Sequence, residues 1–410
     1  MTALRVELYG QLVGWLSGPD WRTFDFHAEP AAVDEFGLGS TVVSESVPLS
    51  AVANRSRANR RRNFFGELLP EGRILVNLAA QAGVREHDVL GLLAHYGRDV
   101  AGAVQIYDPS RPGEPRRPRT KAVTDTEIGA LLLDTAAAPL GNNPLTGKTS
   151  LAGVQDKIVL ARVAGAWHRV LDGFPSTHIV KPASREYPTV VFDEEYGARA
   201  ARSLGLAGGA TWLAEFGEVP ALVIERFDRS PDPTLGRIHQ EDMNQVLGAH
   251  ANEKYQEFGG KVSLARVAAV FAKNGDTGSM ERLLRQTVVA VALGNVDMHA
   301  KNIAMLHFPD GRATLAPAYD MVPMRHQRND GRMALSINGV YPHDQTTAAD
   351  LAAEAESWGL RGTAPQVAAA LEEMEAFAAR EVPDPRAHPG LQAEVLSFTR
   401  NLLAGNPAGA

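Results

Sequence analysis

The sequence predicts a two-lobed α+β fold, with a mixed lobe ending near Glu225 and a mainly helical lobe beginning near Arg226. Three observations predict it. Strand-like alternation and helical spacing interleave up to Glu225. Beyond it, apolar residues recur at steps of three and four, in Met280, Leu283, Leu284, Val288 and Val291 and again through residues 348–403. Between those helical stretches lies a polar loop that carries Asp297 and Asn302, with Asp320 following after a turn.

A chain of 410 residues can form two or three packed units. Its net charge of -7 argues against a protein that coats nucleic acid, although a local basic patch is compatible with it. The absence of cysteine excludes disulfides, thiolate metal sites and a cysteine nucleophile, and fits a reducing compartment. The first residues, Met-Thr-Ala-Leu-Arg-Val-Glu, form no basic-then-apolar leader, and no apolar run reaches membrane length. The expected location is the cytoplasm, with no membrane partner.

Residues 1–107 read as a small α/β subdomain. Leu4–Tyr9 alternates as a strand does, Leu12–Leu16 follows after a turn, and Asn63–Leu69 and Asp88–Ala94 are spaced as helices. Arg55, Arg57, Arg60, Arg61 and Arg62 crowd together here. Such a cluster could meet phosphates, but a solvated helix face or pairing with acidic residues is the simpler reading. Residues 108–148 connect. Pro109, Pro112, Pro115 and Pro118 make 108–121 a semi-extended spacer rather than an element. Thr124 with Glu127 then caps a helix over Thr124–Leu133, followed by a loose loop, Ala136–Thr149.

Residues 149–225 follow. Thr149–Lys157 is a small-residue loop running into a strand, Ile158–Val163, and small side chains leave backbone N–H groups able to face anionic oxygens. It is neither a Walker loop nor Gly-x-Gly-x-x-Gly. The strands Trp167–Leu171 and Thr177–Val180 lead to Lys181. A lysine at a buried strand end needs an anionic partner, and a nucleotide's phosphates are one; at a sheet edge the same residue is only a surface ammonium. The helix Val190–Leu204 carries Glu194 and Glu195 in its first turns, either able to pair with Lys181. The strands Ala210–Glu215 and Val219–Glu225 then deliver Glu225-Arg226-Phe227, where backbone could meet an adenine and Phe227 could cover it or join the core.

In residues 226–410 the helical run through Val291 buries one face and can stop at Gly294. Ile303–Leu306 and Ala313–Ala316, separated by Pro309-Asp310-Gly311, read as a hairpin. Three helices, Ala348–Ser357, Thr363–Ala379 and Pro389–Leu403, and a Gly/Ala tail complete the chain. An Asp, an Asn five residues later and an Asp beyond a hairpin suit phosphoryl transfer. One carboxylate orients and deprotonates an attacking hydroxyl, while the amide and the second carboxylate hold magnesium against phosphates. There is no His-Arg-Asp and no Asp-Phe-Gly, and the same residues could simply close turns. Asp297, His299 and Asp320 could instead hold a hydrolytic metal, but Lys181 and its strand would then go unexplained.

Several short motifs stand in one order: Phe64-Phe-Gly-Glu-Leu-Leu-Pro70, Leu92-Leu-Ala-His-Tyr-Gly-Arg98, Ser150-Leu-Ala-Gly-Val-Gln-Asp-Lys157, Thr177-His-Ile-Val-Lys181, Val223-Ile-Glu-Arg-Phe-Asp228, His239-Gln-Glu-Asp-Met-Asn-Gln245 and Asn295-Val-Asp-Met-His-Ala-Lys-Asn302. With them the chain resembles the HipA-type serine/threonine kinases, the toxin halves of HipBA toxin–antitoxin modules, over roughly residues 1–325. The resemblance implies ATP and Mg²⁺ as cofactors in a cleft between the lobes. It implies Asp297 as catalytic base with His299 beside it, His299, Ala300, Lys301 and Asn302 as the nucleotide and metal loop, and Tyr319 with the magnesium-binding Asp320. Ala152, Gly153, Val154, Gln155, Asp156 and Lys157 correspond to the phosphate loop, Lys181 to the ATP lysine, and Glu225, Arg226 and Phe227 to the adenine hinge. Ser150 corresponds to the serine that these kinases autophosphorylate, which switches them off.

The resemblance also implies partners: a HipB-like DNA-binding antitoxin, operator DNA mainly through it, and a protein substrate such as an aminoacyl-tRNA synthetase, glutamyl-tRNA synthetase being the best known target. Growth arrest or persistence is the implied outcome. A co-repressor subunit whose kinase activity is incidental or lost is the alternative, which intact Lys181, Asp297, Asn302 and Asp320 disfavour. Met298 stands where the family more often has glycine, and residues 326–410 match poorly.

Overall fold

The structure, a computed structural model, describes residues 3–143, 145–184, 186–230, 236–257 and 259–410; Pro144, in the loop expected over 136–149, lies outside the described residues. The chain divides into two compact units, neither a single stretch: Met1–Pro182 with Ala214–His250 and Leu306–Arg312, and Ala183–Leu213 with Ala251–Met305 and Ala313–Ala410.

In the first unit, β1 (Leu4–Leu8), β2 (Gln11–Ser17), β3 (Asp25–Ala28) and β4 (Val104–Tyr107) form an antiparallel sheet in the order β3-β2-β1-β4. Leu4, Val6 and Leu8 alternate with half-buried Arg5 and Glu7, as a sheet with one face on the core requires. The helices α1 (Pro30–Phe36), α2 (Ala58–Gly66), α3 (Gly72–Ala82) and α4 (Val89–Tyr96) contribute Ala32, Phe64 with Phe65, Leu78 and Leu92 in turn to the same core. The arginine cluster divides. Arg61 is buried against Asp25 through two bonds of 2.6 Å, and Arg62 donates to the Phe24 carbonyl at 3.0 Å, whereas Arg55 and Arg57 are exposed.

The second sheet has the order β5-β7-β6-β8-β10-β9, built from β5 (Arg119–Ala122), β6 (Ile158–Val163), β7 (Ala166–Leu171), β8 (His178–Pro182), β9 (Thr211–Phe216) and β10 (Val219–Glu225). β5 corrects the expectation of an unstructured spacer over 108–121, since Arg119–Ala122 pairs with residues 168–171 of β7. An edge strand buries almost nothing, so Arg-Thr-Lys-Ala shows no apolar alternation, and Pro118 sits just ahead of it where no ladder N–H is needed. The helix α5 (Asp125–Leu133) has both bonds of the Thr124–Glu127 capping box.

A charged network lies inside this unit. Asp99 accepts from Arg229 at 2.9 Å and Arg237 at 3.1 Å, and Asp228 from Arg226 at 2.7 Å and Arg229 at 2.9 Å, all of them buried. Nearby, β11 (His239–Asp242) and α7 (Met243–Leu247) use the His239–Gln245 motif for packing and capping. His239 Nε2 bonds the Val43 carbonyl at 2.7 Å, Glu241 meets His307 at 2.7 Å and Ser44 at 2.6 Å, and Asp242 with Gln245 closes a capping box.

The second unit is mainly helical: α6 (Val190–Ser203), α8 (Leu264–Lys273), α9 (Thr277–Leu293), α10 (Ala348–Ser357), α11 (Thr363–Arg380) and α12 (Leu391–Leu403). The periodicity of α9 implies one buried face, yet 12 of its 17 residues are buried, so it is the unit's central helix. It packs against α6, α8, α10, α11 and α12. Gly294 ends it in the left-handed conformation at φ 67°, and a Cβ there would come within 2.7 Å of Arg325 Cγ. The expected hairpin is present as β12 (Ala304–His307) and β13 (Ala313–Leu315), closed by Phe308 N–H donating to Arg312 O at 2.8 Å. A second pair, β14 (Arg332–Ile337) and β15 (Val340–Pro342), follows. The Gly/Ala tail is anchored, with Ala408 buried and its N–H bonded to Thr346 O at 2.9 Å. Among the described residues no helix is long and apolar enough to cross a membrane.

Candidate active site

The second unit holds the loop that carries Asp297 and Asn302. α9 ends at Gly294, and the chain turns on its own polar side chains: Asn295 Oδ1 accepts from the Asp297 N–H at 3.2 Å, and Asn302 donates to the Asp297 carbonyl at 2.9 Å. Tyr255 donates its hydroxyl to Asp297 Oδ1 at 3.2 Å, fixing that carboxylate from a second segment. Asn295 also donates to the Asp320 carbonyl at 3.3 Å, and Tyr319 to the Lys301 carbonyl at 2.7 Å, so Asp297, Lys301, Asn302, Tyr319 and Asp320 belong to one bonded constellation. Asp320 has φ 56°, which a non-glycine residue holds only where its surroundings enforce it, and such residues concentrate at ligand sites.

His299 is buried beside Tyr255, ring edge to face with centroids 5.4 Å apart. Burial first, then the Lys254 ammonium, lowers its pKa to about 4, so the ring is neutral at pH 7. Its Nδ1 is buried without a hydrogen-bond partner, an atom that suits a bound polar group. Ala300 is buried in the short 3₁₀ turn Ala300–Asn302. A cavity of about 230 Å³ opens beside Asp297, with Tyr255, Glu257, Met324, Arg332 and Met333 in its walls. Glu257 and Arg332 pair across two bonds of 2.6 and 2.7 Å.

The first unit holds the small-residue loop. Ser150 is fully buried; its Oγ donates to Leu68 O at 2.9 Å and its N–H to Asp99 O at 3.0 Å. Lys157 folds back so that Nζ donates to Ala152 O at 2.7 Å, closing the loop around Gly153, Val154, Gln155 and Asp156. Gly153 has φ 106°, a left-handed conformation that favours glycine; a Cβ there would stand 2.7 Å from Lys157 Nζ, the mobile end of a side chain that can shift. Asp156 pairs with Arg73, and Val154 is exposed. Lys181 is buried on β8 opposite Leu222 of β10. Arg226 turns its guanidinium into the charged network and gives its N–H to Thr177 O at 2.9 Å, which limits its part in a hinge to its carbonyl. Glu225 ends β10, and Phe227 follows. Of the two helix glutamates, Glu195 is taken by Arg199 at 2.9 Å, whereas Glu194 is buried.

Sequence reasoning misses Tyr255 and Asn295 as supports of Asp297 and Lys254 as the charge acting on His299. Tyr255 lies 42 residues before the residue it holds, and a lone tyrosine in a polar stretch carries no periodic signal.

His299 and His239 share a consequence, because burial and, for His239, the neighbouring His307 lower both to about 4. An unfolded histidine takes its proton near pH 6.5. The unfolded chain therefore binds more protons between those values, and their contribution to stability is complete above about pH 6.5 and lost as the pH falls towards 4. Thermal melts are expected to show a midpoint several degrees lower at about pH 5 than at about pH 7; equal midpoints would contradict this.

Comparison with known proteins adds the following. The HipA N-terminal domain matches residues 4–107 and the HipA-like C-terminal domain residues 149–381. The second match runs past residue 325, beyond the reach of the motifs. The chain is similar to Y4mE of Sinorhizobium fredii, 31% identical over 293 residues, 68% of each chain. It is similar to the serine/threonine-protein kinase toxin HipA of Shewanella oneidensis, 26% identical over 377 residues, 87% of this chain and 83% of that one. Among solved structures, Shewanella oneidensis HipA, in a complex with HipB and operator DNA, covers 98% of this chain and 96% of its own at a TM-score of 0.78 and 24% identity. That likeness shows the fold: two-lobed, α+β and kinase-like.

Proposed function

The chain belongs to the HipA family of serine/threonine-kinase toxins, and from that we propose that it transfers the γ-phosphate of ATP to a serine or threonine of a protein. The observation that carries the proposal is the catalytic loop, in which Asp297 is steadied by Tyr255 and Asn302 within the constellation that holds Asp320. ATP, when bound, supplies the phosphoryl group, and a divalent cation such as Mg²⁺ screens the charge on its phosphates. Asp297 would orient the acceptor hydroxyl and take its proton at a carboxylate oxygen. The Asn302 amide oxygen and the Asp320 carboxylate would hold the cation, beside Tyr319. Neutral His299, with Ala300 and Lys301, would frame the nucleotide. Ala152–Lys157 and Lys181 would receive the phosphates, with Glu225, Arg226 and Phe227 at the adenine. The cavity beside Asp297, with Glu257 and Arg332 at its wall, is suited to a polar protein segment.

The substrate is proposed to be a translation-related protein such as an aminoacyl-tRNA synthetase, with growth arrest as the result. A HipB-like antitoxin, carrying the chain to operator DNA, is proposed as partner, since the Shewanella oneidensis protein is solved in such an assembly.

Self-inactivation at Ser150 is part of the proposal. The hydroxyl is buried and occupied by Leu68 O, so phosphate can be added only when the loop leaves its seat. Once there, nearly two negative charges cannot return to a dry pocket. The test is incubation with γ-labelled ATP and Mg²⁺ followed by mass mapping. Phosphate is expected on Ser150, and Ser150→Ala protein is expected to keep its transferase activity through preincubation with ATP. A Ser150→Ala protein that loses activity as fast as wild type would overturn the switch; no protein phosphorylation at all would overturn the kinase.

A further inference from the structure

The second unit contains a cluster of three side chains that the proposed phosphoryl transfer does not use. His326, from the segment after Asp320, His388, just before α12, and Glu394, in the first turn of α12, present one ligand atom each, all within 4.8 Å of one another. The imidazoles stack with centroids 3.9 Å apart and planes 6° from parallel, so one ring must turn before both nitrogens can face one ion, since each lone pair lies in its ring plane. His326 Nδ1 stands 3.8 Å from Glu394 Oε2, and His388 Nε2 3.6 Å from Glu394 Oε1. Both gaps exceed a hydrogen bond, and both are near the separation of about 3.3 Å that two ligands bound at about 2.0–2.1 Å to a tetrahedral ion would have.

The far side of His326 is already arranged. Its Nε2 meets Asp193 Oδ2 at 3.1 Å, and that carboxylate, fully buried, also accepts from Thr189 Oγ1 at 2.7 Å and from the His388 N–H at 2.8 Å. A carboxylate behind an imidazole fixes its tautomer and orientation and raises its basicity, the arrangement found behind metal-bound histidines. With Nε2 so engaged, Nδ1 is left aimed at Glu394; it is buried with no hydrogen-bond partner, on a side chain only 5% exposed. An orphaned buried acceptor with a second imidazole and a carboxylate around it is a ligand set rather than a finished hydrogen-bond network.

We propose that His326, His388 and Glu394 bind one first-row transition-metal dication, zinc being the ion that two imidazoles and a carboxylate suit best, with Asp193 as the outer partner of His326. The ion pins the segment that follows Asp320 to the start of α12, and through Asp193 to α6. Its role is a brace. Two of the three ligands, His388 and Glu394, lie beyond the residues matched by the family domains, so the site is a property of this chain's C-terminal helices.

The test uses the untagged full chain, stripped of metal by a chelator and titrated with Zn²⁺ in a calorimeter. One ion per chain is expected, at a dissociation constant of about 10 μM or tighter. The thermal midpoint should rise by a few degrees with saturating Zn²⁺. Co²⁺ in its place should give the visible absorption of a four-coordinate site, which scattered surface histidines do not. His388→Ala and Glu394→Gln change partly exposed residues, and each is expected to weaken Zn²⁺ binding at least tenfold while the chelated protein melts as wild type does. Absence of stoichiometric binding, or binding equally tight in both variants, would reduce the cluster to stacked imidazoles beside a carboxylate and overturn the proposal.

Discussion

Asp297→Asn protein is expected to transfer phosphate about 10²–10⁴-fold more slowly than wild type while binding ATP with little change. The substitution keeps size and shape. Tyr255 can still donate to the amide oxygen, and Asn302 still bonds the backbone carbonyl of residue 297, so the loop stays closed. What is lost is the group proposed to take the proton from the attacking hydroxyl. The loss should therefore fall in kcat, with KM for ATP within a few-fold of wild type. Measured with γ-labelled ATP and a protein acceptor, a rate within tenfold of wild type would remove Asp297 as the base. ATP consumption that is lost in the variant, without phosphorylated protein in the wild type, would favour the hydrolytic reading of Asp297, His299 and Asp320.

Much of this arrangement is legible in the sequence where local rules decide. The capping box at Thr124 and Glu127, the strand Ile158–Val163 and the stop at Gly294 follow from propensity, alternation and glycine's freedom at positive φ. So do the three C-terminal helices, within two residues at each end. Where contacts join distant segments, local rules are silent. Nothing near Asp99 announces that it will meet Arg229 and Arg237, and nothing near Asp193 announces His326. Arg119–Ala122 is a strand because a neighbour offers its ladder, not because of its own composition. The motif His239–Gln245 is visible in the sequence only by its order among the others; in the structure its His, Glu and Gln are buried in packing and capping. The candidate site is visible as a list of residue types at set spacings; which tyrosine steadies Asp297, and that Ser150 is sealed against Leu68, depends on tertiary packing alone.

Asp99→Asn is expected to destabilise the protein by about 3–5 kcal/mol, far more than loss of an ion pair at the surface. Asp99 is fully buried between Arg229 and Arg237, with Thr149 Oγ1 at 3.2 Å and the Ser176 N–H at 3.3 Å completing its shell. Burial pushes its carboxyl up, but Arg229, Arg226 and Arg237 together outweigh burial and hold it below the usual carboxylate range. A folded pKa below the unfolded one means that the contribution is complete above about pH 4 and lost as the pH falls further. An amide in its place leaves the guanidinium charges in the interior with Asp228, among the described residues, as the carboxylate that answers them. The backbone of Asp99 also brackets Lys148 O at 3.1 Å and the Ser150 N–H at 3.0 Å, so the same residue ties the network to the root of the small-residue loop. Arg199 with Glu381 offers the contrast, a partly exposed pair at 2.9 Å whose removal by Glu381→Gln should leave the midpoint almost unchanged, because solvent screens it. Urea unfolding of the two variants side by side decides the matter. A large drop in midpoint for Asp99→Asn and almost none for Glu381→Gln would show that burial, and not the count of ion pairs, sets what a charged pair contributes; equal small drops would mean that water or local rearrangement answers the arginines once Asp99 is neutral.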